Sequence, residues 1–297
     1  MSQAKIPEQQ NTLRVIVLYS TGHLGSAMIL NHLLDMPAYQ VVGVIKAQAV
    51  AFTPAGIRKI KHHLKKVGWR FAWLLMWQRL VQALAFLLTL FLPLSKKRLR
   101  PAWKIAKDHD IPVLYCANIN SDKALAFMRH LQPDLLLSAY FPQILKAPVI
   151  QIPRLGVLNV HPGWLPAYKG AMAYFWALKN GSERAGVTVH WIDEGVDTGE
   201  IVARRSFRIE PGMTQQNVLV TTAAIGADLL ARIGEKLSEG LALNNIRPEE
   251  DEADQYYPMP GERAFDGYFR QRRFFRIRDT IASIFRGRIK KNKQGKQ

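Results

Sequence analysis

The sequence predicts an α/β fold, a Rossmann-like three-layer sandwich with a mainly parallel sheet. Short apolar runs typical of buried strands alternate with segments of helical character over residues 12–240. The first run, Leu13 to Tyr19, ends in a glycine-containing turn, as the βα turns of such sheets do. Strands joined by helices run parallel, and the helices then cover both faces of the sheet.

The remaining elements follow in the same alternation. We predict a helix that includes 27–30, then strands at 41–45, 111–115, 133–138, 156–160 and 187–192, with helices at 121–131, 170–180 and 213–239. The last helix is amphipathic, with Leu219, Leu229 and Ile233 among its apolar positions. Gly22 and Gly25 in the first βα turn fit either an anion site built from backbone N–H groups or a tight turn alone.

Composition places the chain among proteins with a sizeable core. The chain has 297 residues, of which 48% are hydrophobic, enough for one large domain and an appendage. Its single cysteine, Cys116, excludes an internal disulfide and fits a reducing compartment. The first dozen residues are polar, so we expect no signal peptide.

The net charge of +18 is concentrated in two stretches. Residues 58–104 hold twelve Lys and Arg and no Asp or Glu, and residues 261–297 carry a net charge of +9. The rest of the chain carries −3. The sequence therefore predicts a nearly neutral core with two strongly basic modules.

The first basic module surrounds an apolar segment. Phe71 to Leu94 contains Arg79 as its only charge, and as a helix it would be about 36 Å long, enough to cross a bilayer. A single crossing would put strands of one sheet on opposite sides of the membrane. Trp73, Trp77 and Arg79 favour a helix that is re-entrant or lies in the membrane plane. A buried helical hairpin used for dimerisation and a true span are the alternatives.

The second module, in the C-terminal region, predicts a basic amphipathic helix. Phe274, Ile277, Ile281 and Ile284 fall at helical spacing among many arginines, a pattern typical of membrane-surface helices. We expect an anionic membrane surface to bind through 58–104 and 268–293. Nucleic acid is the rival partner, but no RNA-binding motif accompanies the cations. Residues 290–297 are expected to be disordered.

The most informative stretch is 156–201. Asn159 and His161 are two residues apart in an apolar run, so their side chains project from one face of a strand that Pro162 ends. Asp197 follows in a glycine-rich turn. Open α/β sheets bind ligands at the carboxyl ends of their strands. An amide, an imidazole and a carboxylate at this edge can stabilise an oxyanion and move a proton. Each of the three residues also has an ordinary structural explanation.

This stretch resembles the signature of the folate-dependent formyltransferases, which include the glycinamide ribonucleotide, methionyl-tRNA and amino-sugar formyltransferases. The matching pieces are Asn159-Val160-His161-Pro162, Leu165-Pro166, Lys169-Gly170, Gly186-Val187-Thr188 and Asp197-Thr198-Gly199. The resemblance covers residues 12–210, more weakly outside this stretch. Gly163 departs from the family, which often has serine there, so one polar contact is expected to be missing.

The resemblance implies a formyltransferase that uses 10-formyltetrahydrofolate as co-substrate and no metal. It implies catalysis by Asn159, His161 and Asp197. The folate would bind near Tyr140, Phe141, Gln143, Ile144, Leu145, Asp193 and Gly195, and the acceptor near Gly22, Lys169, Gly170 and Met172. His190 is expected either to line the pocket or merely to pack.

The domain division follows from these features. We predict a formyltransferase catalytic domain at 12–240, interrupted by a helical insertion at 55–105, and a C-terminal extension at 241–297. The expected acceptor is a primary amine of a small-molecule, sugar or lipid-linked compound. The expected location is cytoplasmic, peripheral to the inner face of the membrane, and a homodimer is an option. Methionyl-tRNA formylation, formyltetrahydrofolate hydrolysis and a non-catalytic membrane-binding scaffold remain as alternatives.

Overall fold

The computed structural model describes residues 12–47, 61, 64–65, 67–91, 98–269 and 274–286. Its strands are β1 Leu13–Ser20, β2 Tyr39–Ala47, β3 Val113–Cys116, β4 Leu135–Ala139, β5 Gly156–His161, β6 Lys169–Gly170, β7 Arg184–Trp191, β8 Ile201–Arg208 and β9 Tyr256–Tyr257. Its helices are α1 Leu24–Leu33, α2 Trp69–Phe91, α3 Ala102–Asp108, α4 Asp122–Leu131, α5 Ala147–Ile150, α6 Ala173–Lys179, α7 Gln215–Ser238, α8 Glu262–Phe269 and α9 Ile277–Arg286.

Among the described residues, seven strands form one sheet in the order β3-β2-β1-β4-β5-β7-β8. The five strands from β3 to β5 are parallel, whereas β7 and β8 add to the edge in antiparallel pairing. The predicted Rossmann-like, mainly parallel sheet is therefore confirmed. The sequence pattern does not predict β8, which carries three arginines among its eight residues.

Strand β1 shows why the fold has three layers. Its alternate residues Val15 and Val17 pack in one core cluster with residues of α1 and α7, such as Ile29 and Leu230. Ile16 and Leu18 point the opposite way, into a second cluster that includes Leu125 and Met128 of α4. Because both faces of the strand are covered, nearly all of its positions are apolar.

Helix α2 confirms that the apolar insertion is helical, and it has two distinct faces. Phe71, Val81 and Ala85 are buried, and Phe71 packs against Phe265 of α8 and Phe274. The opposite face exposes large apolar side chains, namely Trp69, Trp73, Met76, Trp77, Leu80, Leu84, Leu87, Leu88 and Phe91. Both α2 and α7 are long and apolar enough to cross a membrane, but only 28% of the α2 segment is buried, against 61% of the α7 segment.

The chain after residue 240 packs on this framework. Helix α9 contacts α2, and the Thr280 hydroxyl hydrogen-bonds with Gln216 of α7. Strand β9 pairs with β6, which contains Lys169. The predicted disordered end at 290–297 and the basic residues at 58–59, 96–97, 270–273 and 288 lie outside the described residues.

Candidate functional site

A cavity of about 850 Å³ opens at the carboxyl edge of the sheet. Residues from the ends of β1, β4 and β5 and from the 193–197 turn line it. Every site residue predicted from the sequence, except Lys169, belongs to this lining. The position agrees with the general rule that open α/β sheets bind ligands where their parallel strands end.

Strand β5 places Asn159 and His161 at this edge. Val157, Leu158 and Val160 are buried, which fixes the strand in the sheet, and His161 is only 4% exposed. Thr188 of β7 holds the loop that follows, because its hydroxyl donates to the Gly163 carbonyl at 2.8 Å and accepts from the Leu165 N–H at 3.1 Å. The Gly-Val-Thr piece of the signature thus shapes the site from the neighbouring strand.

The imidazole of His161 lies between two acceptors. Its Nε2 is 2.6 Å from the Tyr168 carbonyl oxygen and donates to it, and its Nδ1 is 3.4 Å from Oδ2 of Asp197. The same Asp197 oxygen accepts a hydrogen bond from the Gly170 N–H at 2.8 Å. A proton arriving at Nδ1 would therefore be stabilised by an adjacent carboxylate that the backbone holds in place.

His190 joins this cluster, which the sequence did not establish. Its Nδ1 donates to the Trp191 carbonyl at 2.7 Å, and its Nε2 lies 3.1 Å from Nδ2 of Asn159 and 3.5 Å from Oδ1 of Asp197. His190 therefore orients the Asn159 amide by accepting one of its N–H groups. The second N–H remains as a donor for a ligand.

Burial sets the protonation of the cluster near neutral pH. Burial lowers the pKa of His161, and the nearby Asp197 carboxylate only partly offsets this effect. Burial acts to raise the pKa of Asp197, but His161, His190 and the Gly170 N–H outweigh it and hold this pKa at about 2. At neutral pH the site therefore contains an ionised carboxylate beside a neutral imidazole.

Gly163 allows this packing. A Cβ atom at Gly163 would lie 2.6 Å from the Cβ of Ala173 and 2.7 Å from Nε2 of His161. Side chains do not tolerate such distances, so a serine here would require the loop or the imidazole to move. Glycine at position 163, where the family often has serine, therefore fits the close approach of His161.

The residues expected near the folate form one wall of the cavity. Gln143 ties two loops together, because its Oε1 accepts from the Ile119 N–H at 2.6 Å and its Nε2 donates to the Cys116 carbonyl. Ile144 is exposed, whereas Leu145 is buried. Asp193 accepts hydrogen bonds from the Gly195 N–H and the Thr198 hydroxyl, so its carboxylate stabilises the turn that carries Asp197.

Of the four residues expected near the acceptor, three line the cavity and one does not. Gly22, Gly170 and Met172 line the cavity, all three with positive φ angles. Lys169 does not, because its amine pairs with the Asp254 carboxylate at 2.7 Å and its segment is strand β6 rather than the start of a helix. Helix α6 begins only at Ala173, three residues later than predicted.

Helix α2 contributes a cavity wall that sequence reasoning missed. Leu75, Gln78, Arg79 and Gln82 all line the same cavity as Asn159 and His161. Gln78 donates to Gln216 of α7 at 3.1 Å, which connects the insertion to the core. Gln78, Arg79 and Gln82 recur at helical spacing in an otherwise apolar segment. This pattern predicts that the helix has a polar face.

Comparison with known proteins shows what the chain is similar to. Residues 97–233 match the family model described as formyl transferase. The chain is 38% identical over 166 residues to a methionyl-tRNA formyltransferase from Syntrophus aciditrophicus, covering 56% of this chain and 53% of that protein. It spans about half the length of the curated relatives that it matches.

Solved structures share the fold at lower sequence identity. Glycinamide ribonucleotide transformylase 1 from Symbiobacterium toebii has a TM-score of 0.53 and 23% identity, covering 81% of this chain and 94% of that one. An N-formyltransferase from Helicobacter canadensis, solved with folinic acid and dTDP-3-aminofucose, has a TM-score of 0.51 and 16% identity, covering 83% and 71%. The part of the chain at 97–233 is therefore similar to the formyl transferase family, and the solved structures share its fold.

Proposed function

We propose that the protein transfers a formyl group from 10-formyltetrahydrofolate to a primary amine. The observation that supports this proposal is the cluster of Asn159, His161, His190 and Asp197 at one end of the cavity in a chain that is similar to this family. The cavity is about 850 Å³, within the range of small-molecule sites.

The reaction forms one bond and breaks another. The acceptor nitrogen attacks the formyl carbon, and the bond between that carbon and N10 of the folate then breaks. The free N–H of Asn159 donates to the carbonyl oxygen as it gains negative charge, which lowers the barrier. The proton lost by the amine ends on N10 of the leaving tetrahydrofolate.

His161 and Asp197 serve the proton transfer in this proposal. The neutral imidazole accepts the amine proton at Nδ1, directly or through water, and Asp197 stabilises the resulting cation. His161 then returns the proton to N10. His190 acts through Asn159, because it fixes the orientation of the amide.

The proposal also concerns which amine is the acceptor. The curated relatives compared above are named methionyl-tRNA formyltransferases, and this observation favours charged tRNA as one acceptor to test. The exposed face of α2 favours a different acceptor, a sugar or lipid-linked amine at a membrane surface. We keep the second as the leading acceptor because α2 takes part in the cavity itself.

Peripheral attachment to an anionic bilayer is proposed on the same helix. Trp69, Trp73 and Trp77 recur every four residues on the exposed face, an arrangement suited to the boundary between headgroups and acyl chains. Ile277 and Ile281 of α9, the helix packed against α2, are also exposed apolar side chains. The surrounding stretch 58–104 carries cations and no acidic residue, so its charge complements anionic lipid.

A tetrahydrofolate-release assay tests the activity. Purified protein is incubated with 10-formyltetrahydrofolate, and release of tetrahydrofolate is followed by absorbance. Candidate amines are added by class: nucleotide sugars, lipid-linked amino sugars, glycinamide ribonucleotide and charged tRNA. His161→Ala serves as the inactive control.

The outcomes separate the alternatives. Release that depends on one amine class supports transfer and identifies the acceptor. Release without any amine indicates hydrolysis of the formyl donor instead. Absence of both release and folate binding would favour a non-catalytic scaffold and contradict the proposal.

A further inference from the structure

Two backbone groups of one loop orient the imidazole and the carboxylate of the site. The site loop, residues 162–170, follows β5 and ends in β6. Its Tyr168 carbonyl accepts the Nε2 proton of His161 at 2.6 Å, so Nδ1 is left to act as the base. Its last N–H, that of Gly170, donates to the Asp197 carboxylate at 2.8 Å. The position of the site loop therefore sets both the tautomer of the imidazole and the place of the carboxylate.

A segment of the C-terminal extension holds this loop from outside. The strap, residues 252–257, ends in β9, and β9 pairs with β6 of the site loop. The Lys169 N–H donates to the Gln255 carbonyl at 3.0 Å, and the Gln255 N–H donates to the Pro166 carbonyl at 3.2 Å. These bonds tie the loop to a segment that lies beyond 97–233, the part of the chain similar to the formyl transferase family.

The end of the strap packs on the two residues that orient the site. The Ala171 N–H donates to the Tyr257 carbonyl at 2.9 Å, and a Cβ atom on Gly170 would collide with that carbonyl oxygen. Glycine also suits the φ of +95° at this position. The ring of Tyr257 stacks on the ring of Tyr168, with centroids 5.2 Å apart. The strap thus contacts the loop where it meets the imidazole and the carboxylate.

Glu252 fixes the beginning of the strap to the beginning of the loop. Its Oε2 is 2.6 Å from Nη1 of Arg204, and its Oε1 accepts from the Trp164 indole N–H at 3.2 Å. The same Arg204 nitrogen donates to the Leu165 carbonyl at 2.9 Å, and the guanidinium lies over the Trp164 ring. One carboxylate therefore joins the strap, β8 and two consecutive residues of the site loop.

The surroundings of Glu252 favour its ionised form. The hydrogen bond from Arg204 is the largest cause that lowers the pKa of Glu252, and partial burial acts in the opposite direction without outweighing it. The side chains of Glu252 and Arg204 are only 18% and 10% exposed. A hydrogen-bonded ion pair with this little exposure is stronger than an ordinary surface pair.

We propose that Glu252 is a positioning residue, whose contacts with the site loop hold His161 and Asp197 in place for proton transfer. This inference rests on the proposed formyl transfer. Glu252 is not part of the cavity lining and does not touch the reacting atoms, so it acts only through the loop. The C-terminal extension thereby contributes to the site in addition to packing on the helices.

Imidazole NMR of the full chain, labelled at histidine and free of folate and amine, tests the positioning directly. The Nε2 proton of His161 should exchange slowly with solvent, because its hydrogen bond to the Tyr168 carbonyl must open first. His161→Ala assigns this signal. The Nδ1 proton of His190, donated to the Trp191 carbonyl, is the internal reference, because general loosening of the fold would speed the exchange of both protons.

The variants are Glu252→Ala and Glu252→Gln, with Glu250→Gln as the matched control. Glu250 is exposed and lies two residues before Glu252. Glu252→Ala should speed exchange of the His161 proton by at least about tenfold and leave the His190 proton unchanged. Glu252→Gln should have a smaller effect, because the amide keeps the shape and loses the charge. Glu250→Gln should behave as the wild type.

The formyl-transfer assay adds a second readout. Glu252→Ala should lower kcat by roughly 10- to 100-fold and leave the KM values of donor and acceptor nearly unchanged, because the base is misplaced and the cavity is not altered. The assay is run at a temperature at which circular dichroism shows every variant folded. If Glu252→Ala does not fold, Glu252→Gln provides the same comparison.

Three results would overturn the assignment. The first is unchanged exchange of the His161 proton in the folded Glu252 variants. The second is equal acceleration at His161 and His190, which would show that Glu252 only stabilises the fold. The third is an equal effect of Glu250→Gln. If the wild type showed no formyl transfer with any amine, the proposed activity would fail, and the exchange measurement would still decide the positioning.

Discussion

Replacement of Trp73 and Trp77 by serine should weaken binding of the protein to anionic vesicles while leaving the fold intact. The two side chains are 60% and 42% exposed in the structure. A tryptophan side chain offers roughly 200 Å² to burial, so together they expose about 200 Å². At about 25 cal/mol per Å², complete transfer of this surface out of water is worth about 5 kcal/mol.

We take the headgroup region to cover about half of the exposed surface of Trp73 and Trp77. The loss on double substitution is then about 2.5 kcal/mol, a weakening of roughly 50- to 100-fold. Because neither side chain fills the core, the Tm should move by only a few degrees. Each single substitution should give about half of the free-energy change.

Cosedimentation with vesicles measures the effect. Vesicles that contain phosphatidylglycerol are compared with vesicles of phosphatidylcholine alone, at low and at physiological salt. Trp103→Ser is the matched control, since Trp103 is also half-exposed, at 49%, but lies on α3 rather than on the apolar face of α2. Only the anionic vesicles should bind strongly, and added salt should weaken this binding.

The reasoning would be refuted if the wild type failed to bind anionic vesicles, or if the double variant bound them as well as Trp103→Ser does. Sedimentation equilibrium without lipid tests whether the exposed face of α2 is a dimer interface instead. A concentration-dependent dimer that the Trp73→Ser and Trp77→Ser substitutions dissociate would make the exposed face a contact between two copies of the chain.

Further substitutions test the site. Asn159→Ala should lower kcat by roughly 10²- to 10³-fold in the tetrahydrofolate-release assay, because one oxyanion donor is lost, and should retain folate binding. His161→Ala should abolish turnover and leave vesicle binding unchanged, whereas coupled loss of both would show that the site and the apolar face are not separate. Gly163→Ser should displace His161 and lower kcat by roughly 10- to 100-fold; a normal kcat would mean that the loop accommodates the side chain without moving the imidazole. The folded-state pKa of His23, about 3, lies below its unfolded value of 6.5, so its contribution to stability is present above 6.5 and declines as pH falls towards 3. Urea unfolding at pH 7 and about pH 4.5 should show this loss, about 3 kcal/mol at most from this group, and His23→Gln should lose correspondingly less.

The sheet was predictable because its parallel strands are buried on both faces. Runs such as Leu13 to Tyr19 and Gly156 to Val160 are apolar at almost every position, and their short length between turns favours buried strands over helices. Strand β8 was not predicted because it is an edge strand with two half-buried arginines, Arg204 and Arg205, and an exposed one, Arg208. It pairs in antiparallel fashion with β7, the preceding strand, across the connection at 192–200.

The positions of the site residues were predictable only where those residues belong to one strand or one motif. Asn159 and His161 share β5, so their common direction follows from strand geometry. His190 enters the cluster because antiparallel pairing sets it opposite Asn159, a register that neither strand specifies alone. Lys169 shows the reverse case, since a carboxylate 85 residues later in the chain, Asp254, draws its amine away from the cavity.

The position of α2 between two paired strands constrains how it meets a membrane. Val44 of β2 pairs with Val113 of β3, so the chain enters and leaves the insertion on the same side of any bilayer. The buried face of α2 packs on the core through Phe71, Val81 and Ala85, and moving the helix into the bilayer centre would uncover that core. Burial of one large apolar side chain alone is worth about 1.5–3 kcal/mol, so extraction of this face opposes any gain from deeper insertion. A helix held in this way is best suited to lie flat on the proposed membrane surface, with its tryptophans facing the lipid and Arg79 facing the cavity.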